Sequence, residues 1–185
     1  GIPAGAFAVC AVANYRPRKG IEVLIEAARY LPEDAPIHLL LIGKGMDGPE
    51  VSRLVAASPR AAQIHAFGHR TDVMRIVAAC QATVLAATKR EGLPKTVIES
   101  MVQEVTPVVT ATGGSPELVE DGVSGLVVPP GDAKALAGAI TRLYRDPVAN
   151  SRMGVAARAR IGTHFRVQDS VAAHLAMFRE LTGSA

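Results

Sequence analysis

Two rhythms of apolar and polar positions alternate along this chain. Residues 6–13 form an apolar run without helical period and read as a first strand. Residues 19–31 follow as a helix, with Ile21, Leu24, Ile25 and Ala28 on one face and Pro32 and Pro36 closing it. Ile37–Ile42 is a continuous apolar run, a buried strand ended by Gly43-Lys44-Gly45. The same alternation predicts a helix over 50–57, a strand over 63–67 and a helix up to Cys80 that Asp72 caps. It continues with a strand over 82–86, a helix over 94–103 with Pro94 in its first turn, and a strand over 107–110. A short helix over 115–120 is expected to be capped by Ser115 and opened by Pro116, and a strand over 125–128 follows. Helices over 133–144, about 151–163 and 168–181 finish the chain.

Strands and helices in this order mean parallel βαβ units. Right-handed crossovers then favour an α/β fold, a doubly wound open sheet of about six strands. In the last predicted helix Val171, Leu175, Phe178 and Leu181 make an apolar stripe. It fits packing on this domain and contact with a further domain equally well.

Composition sharpens this picture. At 185 residues the chain fits one domain, residues 1–185, and reads as a piece of a longer protein. Aromatic residues make up 4%, so aliphatic side chains build the core, as suits helices on a buried parallel sheet. The net charge of +3 suits an anionic small ligand and is too weak for nucleic acid. Cys10 and Cys80 sit in apolar stretches and read as buried reduced thiols of a cytoplasmic protein. Neither a membrane-length apolar run nor metal-ligand spacing is present, and no metal site or cofactor is expected.

Ligands of open parallel sheets bind beyond the carboxyl ends of the strands. Glycines and cations gather there: Asn14, Arg16, Arg18 and Lys19 after strand one, Gly43 and Gly45 after strand two, His69 and Arg70 after strand three. The loop after strand four reads Thr88-Lys89-Arg90-Glu91-Gly92-Leu93-Pro94-Lys95-Thr96, and that after strand five Thr112-Gly113-Gly114-Ser115. Glycine-rich turns and helix N-termini present N–H groups to phosphate, and Lys and Arg add charge. The first loop lacks G-x-G-x-x-G, which counts against a dinucleotide-binding dehydrogenase, and no P-loop occurs. Glu91 and Glu99 stand eight residues apart, roughly two helical turns, so both face much the same way. Paired carboxylates suit a polyhydroxylated ligand, while spacing alone equally fits one N-terminal acid and one surface acid. Of the histidines, only His69 lies at the ligand edge; His38, His65, His164 and His174 read as structural or surface.

The segment from Glu91 to Glu99 resembles the E-x7-E signature of a large family of retaining glycosyltransferases, the glycosyl transferases group 1. Lys19-Gly20, Leu41-Ile42-Gly43-Lys44-Gly45, Phe67-Gly68, Gly113-Gly114-Ser115-Pro116-Glu117 and the block from Gly122 to Asp132 are similar to further family motifs, in the same order. The resemblance implies the Rossmann-like, C-terminal donor-binding half of a two-domain (GT-B) enzyme. Such an enzyme moves a sugar from a nucleotide diphosphate sugar, without metal and with retention, to a glycan or lipid-linked acceptor. The partners it implies are the nucleotide sugar, UDP-sugar ahead of GDP-sugar, and an N-terminal acceptor-binding domain. A peripheral place at the inner membrane face follows from the family's common roles. In the roles it implies, Glu91 holds hydroxyls of the transferred sugar and Lys19 stabilises the leaving diphosphate. Glu99 holds the ribose, amides from Gly92 to Thr96 assist, and backbone near Arg70 meets the base. Asn14, Arg16, Gly43 and Gly45 complete the expected donor site.

Two departures stand out. Asn14 occupies a position where the family usually has Arg. Val102-Gln103-Glu104 replaces a small turn ending in Gly, so either no positive φ is required there or the turn differs. Asn14 also keeps open a non-catalytic nucleotide-sugar-binding module. A nucleotide-sugar epimerase half shares the fold but should lack the E-x7-E block.

Overall fold

The computed structural model describes residues 2–183. Six strands, β1 (Phe7–Val12), β2 (Ile37–Ile42), β3 (Ile64–Phe67), β4 (Ala82–Leu85), β5 (Thr106–Thr110) and β6 (Leu126–Val128), form one sheet in the order β3-β2-β1-β4-β5-β6. Every pairing is parallel, and β1 runs in register with β2 from Phe7 opposite Ile37 to Val12 opposite Ile42. The chain starts at the centre, works outward to β3, then returns to β4 on the other side of β1. This reversal between β1 and β4 is where an open parallel sheet binds its ligand.

Alternate side chains of each strand feed the two faces. On one face Val9, Leu39, Leu41, Val84 and Val108 pack beneath α1 (Ile21–Ala27), α2 (Pro49–Ala56) and α6 (Ala133–Arg145). On the other, Cys10, Leu40 and Ile42 meet α3 (Val73–Ala78), while Leu85, Ala87 and Val109 meet α4 (Lys95–Val102) and α7 (Pro147–His164). Cys10 and Cys80 are buried free thiols of that second face. A hydrogen bond to Cys80 and burial push the Cys10 thiol up. Buried Arg60 donates to the carbonyls of Pro32 (2.7 Å), Glu33 (3.3 Å) and Ala35 (2.7 Å), tying down the loop that leads into β2.

Several element ends differ from expectation, each for a local reason. The first helix does not begin at Lys19: Gly20 has φ 64°, so a 3-10 turn (Pro17–Lys19) stops there and α1 starts afresh. Asp72 stands at the N-cap of α3 without capping it, because Arg70 takes its carboxylate through two bonds of 2.8 and 2.7 Å. Pro94 is the N-cap of α4 rather than its first residue. In α5 (Ser115–Leu118) Gly114 is the N-cap, and the buried Ser115 hydroxyl has no hydrogen-bond partner. Asp132 and Asp146 do cap α6 and α7, and the α7 cap lets that helix start well before residue 151.

Glu104 has φ 62°, so the turn after α4 is left-handed after all. Its N–H donates to Met101 O (3.0 Å) and the next, from Val105, to Ser100 O (3.1 Å), the bond pattern of a Schellman motif with Glu where Gly is usual. Gly154 of α7 lies against this turn; a Cβ there would stand 2.0 Å from the Glu104 carbonyl oxygen.

α8 (Val167–Thr182) buries none of its residues. Val171 and Leu175 are 52% exposed and Phe178 56%, so the apolar stripe does not pack on this domain.

Candidate functional site

Two glycines build the site. Gly20, in its left-handed conformation, brings the first loop against the end of β4, where a Cβ would stand 1.9 Å from the Ala86 carbonyl oxygen. The Thr88 N–H then donates to Arg18 O (2.9 Å), locking the first loop to the loop after β4. Gly113, at φ 53°, does the same from the other side: a Cβ would overlap the Glu91 carbonyl oxygen at 1.7 Å. The neighbouring Gly114 N–H holds that carbonyl at 3.2 Å. Glu91 is thus fixed by its backbone between the loops after β1 and β5.

Its side chain meets Lys19. Lys19 Nζ lies 2.9 Å from Glu91 Oε2, and Arg18 Nε lies 3.9 Å from Oε1. The Glu91 side chain is 10% exposed, and Oε1 is buried without a hydrogen-bond donor. A carboxylate so placed has one oxygen bonded to an ammonium and one, near a guanidinium, whose capacity to accept a hydrogen bond is unused.

This pair borders a cavity of about 540 Å³. Val12, Ala13 and Ile42 at the strand ends and Val73 at the start of α3 give it apolar lining. Asn14, Arg16, Arg18 and Lys19 line it from the first loop, Gly43 from the second, and His69 and Arg70 from the third. Leu93, Pro94, Lys95 and Thr96 close it at the start of α4, whose first N–H groups lack intrahelical acceptors. α4 is seated by Ser100, which is fully buried and accepts from Thr83 Oγ1 at 3.0 Å. Asn14 ties the first two loops together, its Oδ1 accepting from the Lys44 N–H at 3.2 Å.

Most of the expected residues therefore converge on one cavity. Three do not line it. Gly92 lies in a second cavity, of about 880 Å³, between the loops after β4 and β5. Gly45 shapes the turn after β2 at φ 84°. Glu99 sits one turn beyond Lys95, 3.8 Å from its Nζ and a third exposed, next along the helix from the residues that close the cavity. Arg70 and Asp72 form an exposed pair whose mutual hydrogen bonds hold the Asp72 carboxyl below its usual range and Arg70 above. Arg18 stood in the expected basic cluster after β1, whereas the apolar lining was not expected; its place at strand ends and at the start of α3 was the available signal. No group of three or more His, Cys, Asp or Glu residues that could hold a metal ion occurs among the described residues. No described helix is long and apolar enough to cross a membrane.

The family profile for glycosyl transferases group 1 matches residues 1–160. The lipopolysaccharide core biosynthesis glycosyltransferase LpsE of Rhizobium meliloti is 30% identical over 152 residues, which is 82% of this chain and 43% of that protein. Crystalline HepE of Anabaena, in complex with UDP-glucose, superimposes with a TM-score of 0.85 at 25% identity, over 94% of this chain and 50% of that one. The C-terminal domain of the group 1 protein LpcC from Francisella tularensis shares the fold, with a TM-score of 0.76 at 22% identity over 87% of both chains. The chain spans less than half the length of curated relatives such as LpsE. The profile match over most of its length, with a 30% identical relative over 82% of it, places this chain in the family of group 1 glycosyltransferases.

Proposed function

We infer that this chain is the donor-binding half of a retaining, metal-independent glycosyltransferase that takes a hexose from a nucleotide diphosphate sugar, UDP-sugar ahead of GDP-sugar. The observation that carries this reading is the Lys19–Glu91 contact of 2.9 Å at the mouth of the α4 N-terminus. The diphosphate lies between Lys19, Arg16, Arg18 and the free amides of Lys95 and Thr96. As the glycosidic bond breaks, charge grows on that diphosphate, and fixed cations and N–H dipoles stabilise it there. Glu91 accepts from hydroxyls of the departing sugar, the ribose reaches toward Glu99, and the base lies toward Gly43 and Arg70. HepE's complex with UDP-glucose supports the choice of UDP.

The acceptor is a glycan or lipid-linked sugar held by a second domain, at the inner membrane face. The uncovered stripe of α8 is where that second domain makes contact. Because proximity of the two substrates supplies much of the rate, residues 1–185 alone bind donor and transfer nothing. The test is calorimetric titration with UDP, UDP-glucose and GDP. Binding of one nucleotide, weakened in Glu99→Ala, supports the reading; no binding by any of them at millimolar ligand, or transfer by this chain alone, sinks it.

A further inference from the structure

Two cavities lie along the trough at the sheet edge. Its first cavity spans the loops after β3, β2, β1 and the start of α4. Its second spans the loops after β4 and β5, and the two share Glu91 and Leu93. In the strand order β3-β2-β1-β4-β5 these cavities follow one another. A nucleotide sugar is itself linear: base, ribose, diphosphate, sugar. With the diphosphate at Lys19 and Glu91 at the junction, the sugar ring extends into the second cavity.

The charges there are unbalanced. Lys89 and Arg90 both line the second cavity and are exposed. Neither has an ion-pair partner among the described residues. Glu91 is already matched by Lys19 and Arg18, which leaves Glu117 as the one acid of that cavity facing two cations. The floor is largely backbone: Gly113 admits no side chain, since a Cβ would stand 1.7 Å from the Glu91 carbonyl oxygen, and a Cβ on Gly114 would crowd Leu93 at 2.9 Å and the Gly92 carbonyl at 3.0 Å. A sugar ring can therefore lie close against the loop, with its substituents directed at Lys89 and Arg90.

We propose that the second cavity selects a transferred sugar carrying a carboxylate, with Lys89 and Arg90 as the residues that read it. This rests on the donor-site reading above. A planar guanidinium pairs a carboxylate through two bonds, which a neutral hydroxymethyl group cannot reproduce. Glu117 is left to accept from a ring hydroxyl.

The test is titration of this chain with two matched pairs, UDP-glucuronate against UDP-glucose and GDP-mannuronate against GDP-mannose, with free UDP and GDP as references. In the series whose nucleotide binds, the acidic sugar should bind at least about fivefold more tightly than the neutral one, a gain of about 1 kcal/mol. In the double variant Lys89→Ser, Arg90→Ser that ratio should fall to about one. Equal or weaker binding of the acidic sugar, with the free nucleotide still binding, overturns this proposal and leaves the donor site standing. A ratio that survives the double variant overturns the assignment to Lys89 and Arg90. Failure of both free nucleotides to bind overturns the donor site and this proposal together.

Discussion

Replacing Lys19 by Met removes one charge and leaves most of the side-chain volume in place. What remains is a carboxylate, Glu91, with 10% of its side chain exposed and only Arg18, 3.9 Å away, to answer it. Unit charges about 4 Å apart attract by about 4 kcal/mol at an effective dielectric constant of about 20. Breaking a fully buried pair typically costs about 3–5 kcal/mol. Lys19 is 18% exposed at a cavity mouth and water can enter to solvate Glu91, so the expected loss is smaller, about 2 kcal/mol. For a domain of this size that lowers Tm by roughly 4–8 °C. Adding Glu91→Gln to Lys19→Met removes the stranded charge and should return most of the loss. The assay is thermal unfolding of both single variants and the double variant, read as a double-mutant cycle. Calorimetry of the same proteins should show UDP affinity falling about tenfold or more in Lys19→Met, the value of one charged hydrogen bond. A Lys19→Met Tm within about 1 °C of the parent, or a double variant less stable than Lys19→Met, would mean that the pair is not coupled as its geometry states.

Other outcomes follow from features outside the cavity. Gly154→Ala should cost about 1–3 kcal/mol, because its Cβ meets the Glu104 carbonyl oxygen at 2.0 Å and backbone must shift; denaturant unfolding measures it. His38 and His65 share a contact of 2.9 Å, and burial first, then Arg60 for His38 and His38 for His65, depresses both. The folded state resists the protons that the unfolded state accepts, so this contribution is whole above the unfolded value of 6.5 and is lost as the pH falls below it. Tm should accordingly drop between about pH 7.5 and about pH 5.5, and drop less in His38→Leu.

Strand positions were legible because strands of a buried parallel sheet read as short, mostly apolar runs bounded by glycine and proline; Ile37–Ile42, between Pro36 and Gly43, has all six residues buried. Cap chemistry was less legible, because a side chain with two suitors takes the stronger. Asp72 had both a helix N-terminus and Arg70 within reach, and the guanidinium took it. Glu104 misled in a different way. A left-handed residue usually announces itself as glycine, yet here two Schellman hydrogen bonds and the Arg158 contact at 3.1 Å hold a glutamate there. In the site, the order of motifs pointed to Lys19 and Glu91 through family resemblance, while their contact joins residues 72 apart and depends on Gly20 and Gly113 adopting positive φ. The loops after β4 and β5 were legible as part of the ligand edge, but not that they enclose a second cavity. Lys89 and Arg90 look like surface charges until the fold sets them beside Gly113 and Glu117.

The bare surface of α8 has a consequence for hydrogen exchange. A helix of 16 residues in water is marginal when nothing packs on it, since the cost of nucleation falls on hydrogen bonds alone. Its amides should therefore open far more often than those of α7, where Met153, Ala157 and Ile161 are anchored in the core. The last stretch of the chain then acts as a local reporter: deuterium uptake there should be fast in this domain by itself, and slow once a surface that fits Val171, Leu175 and Phe178 covers it.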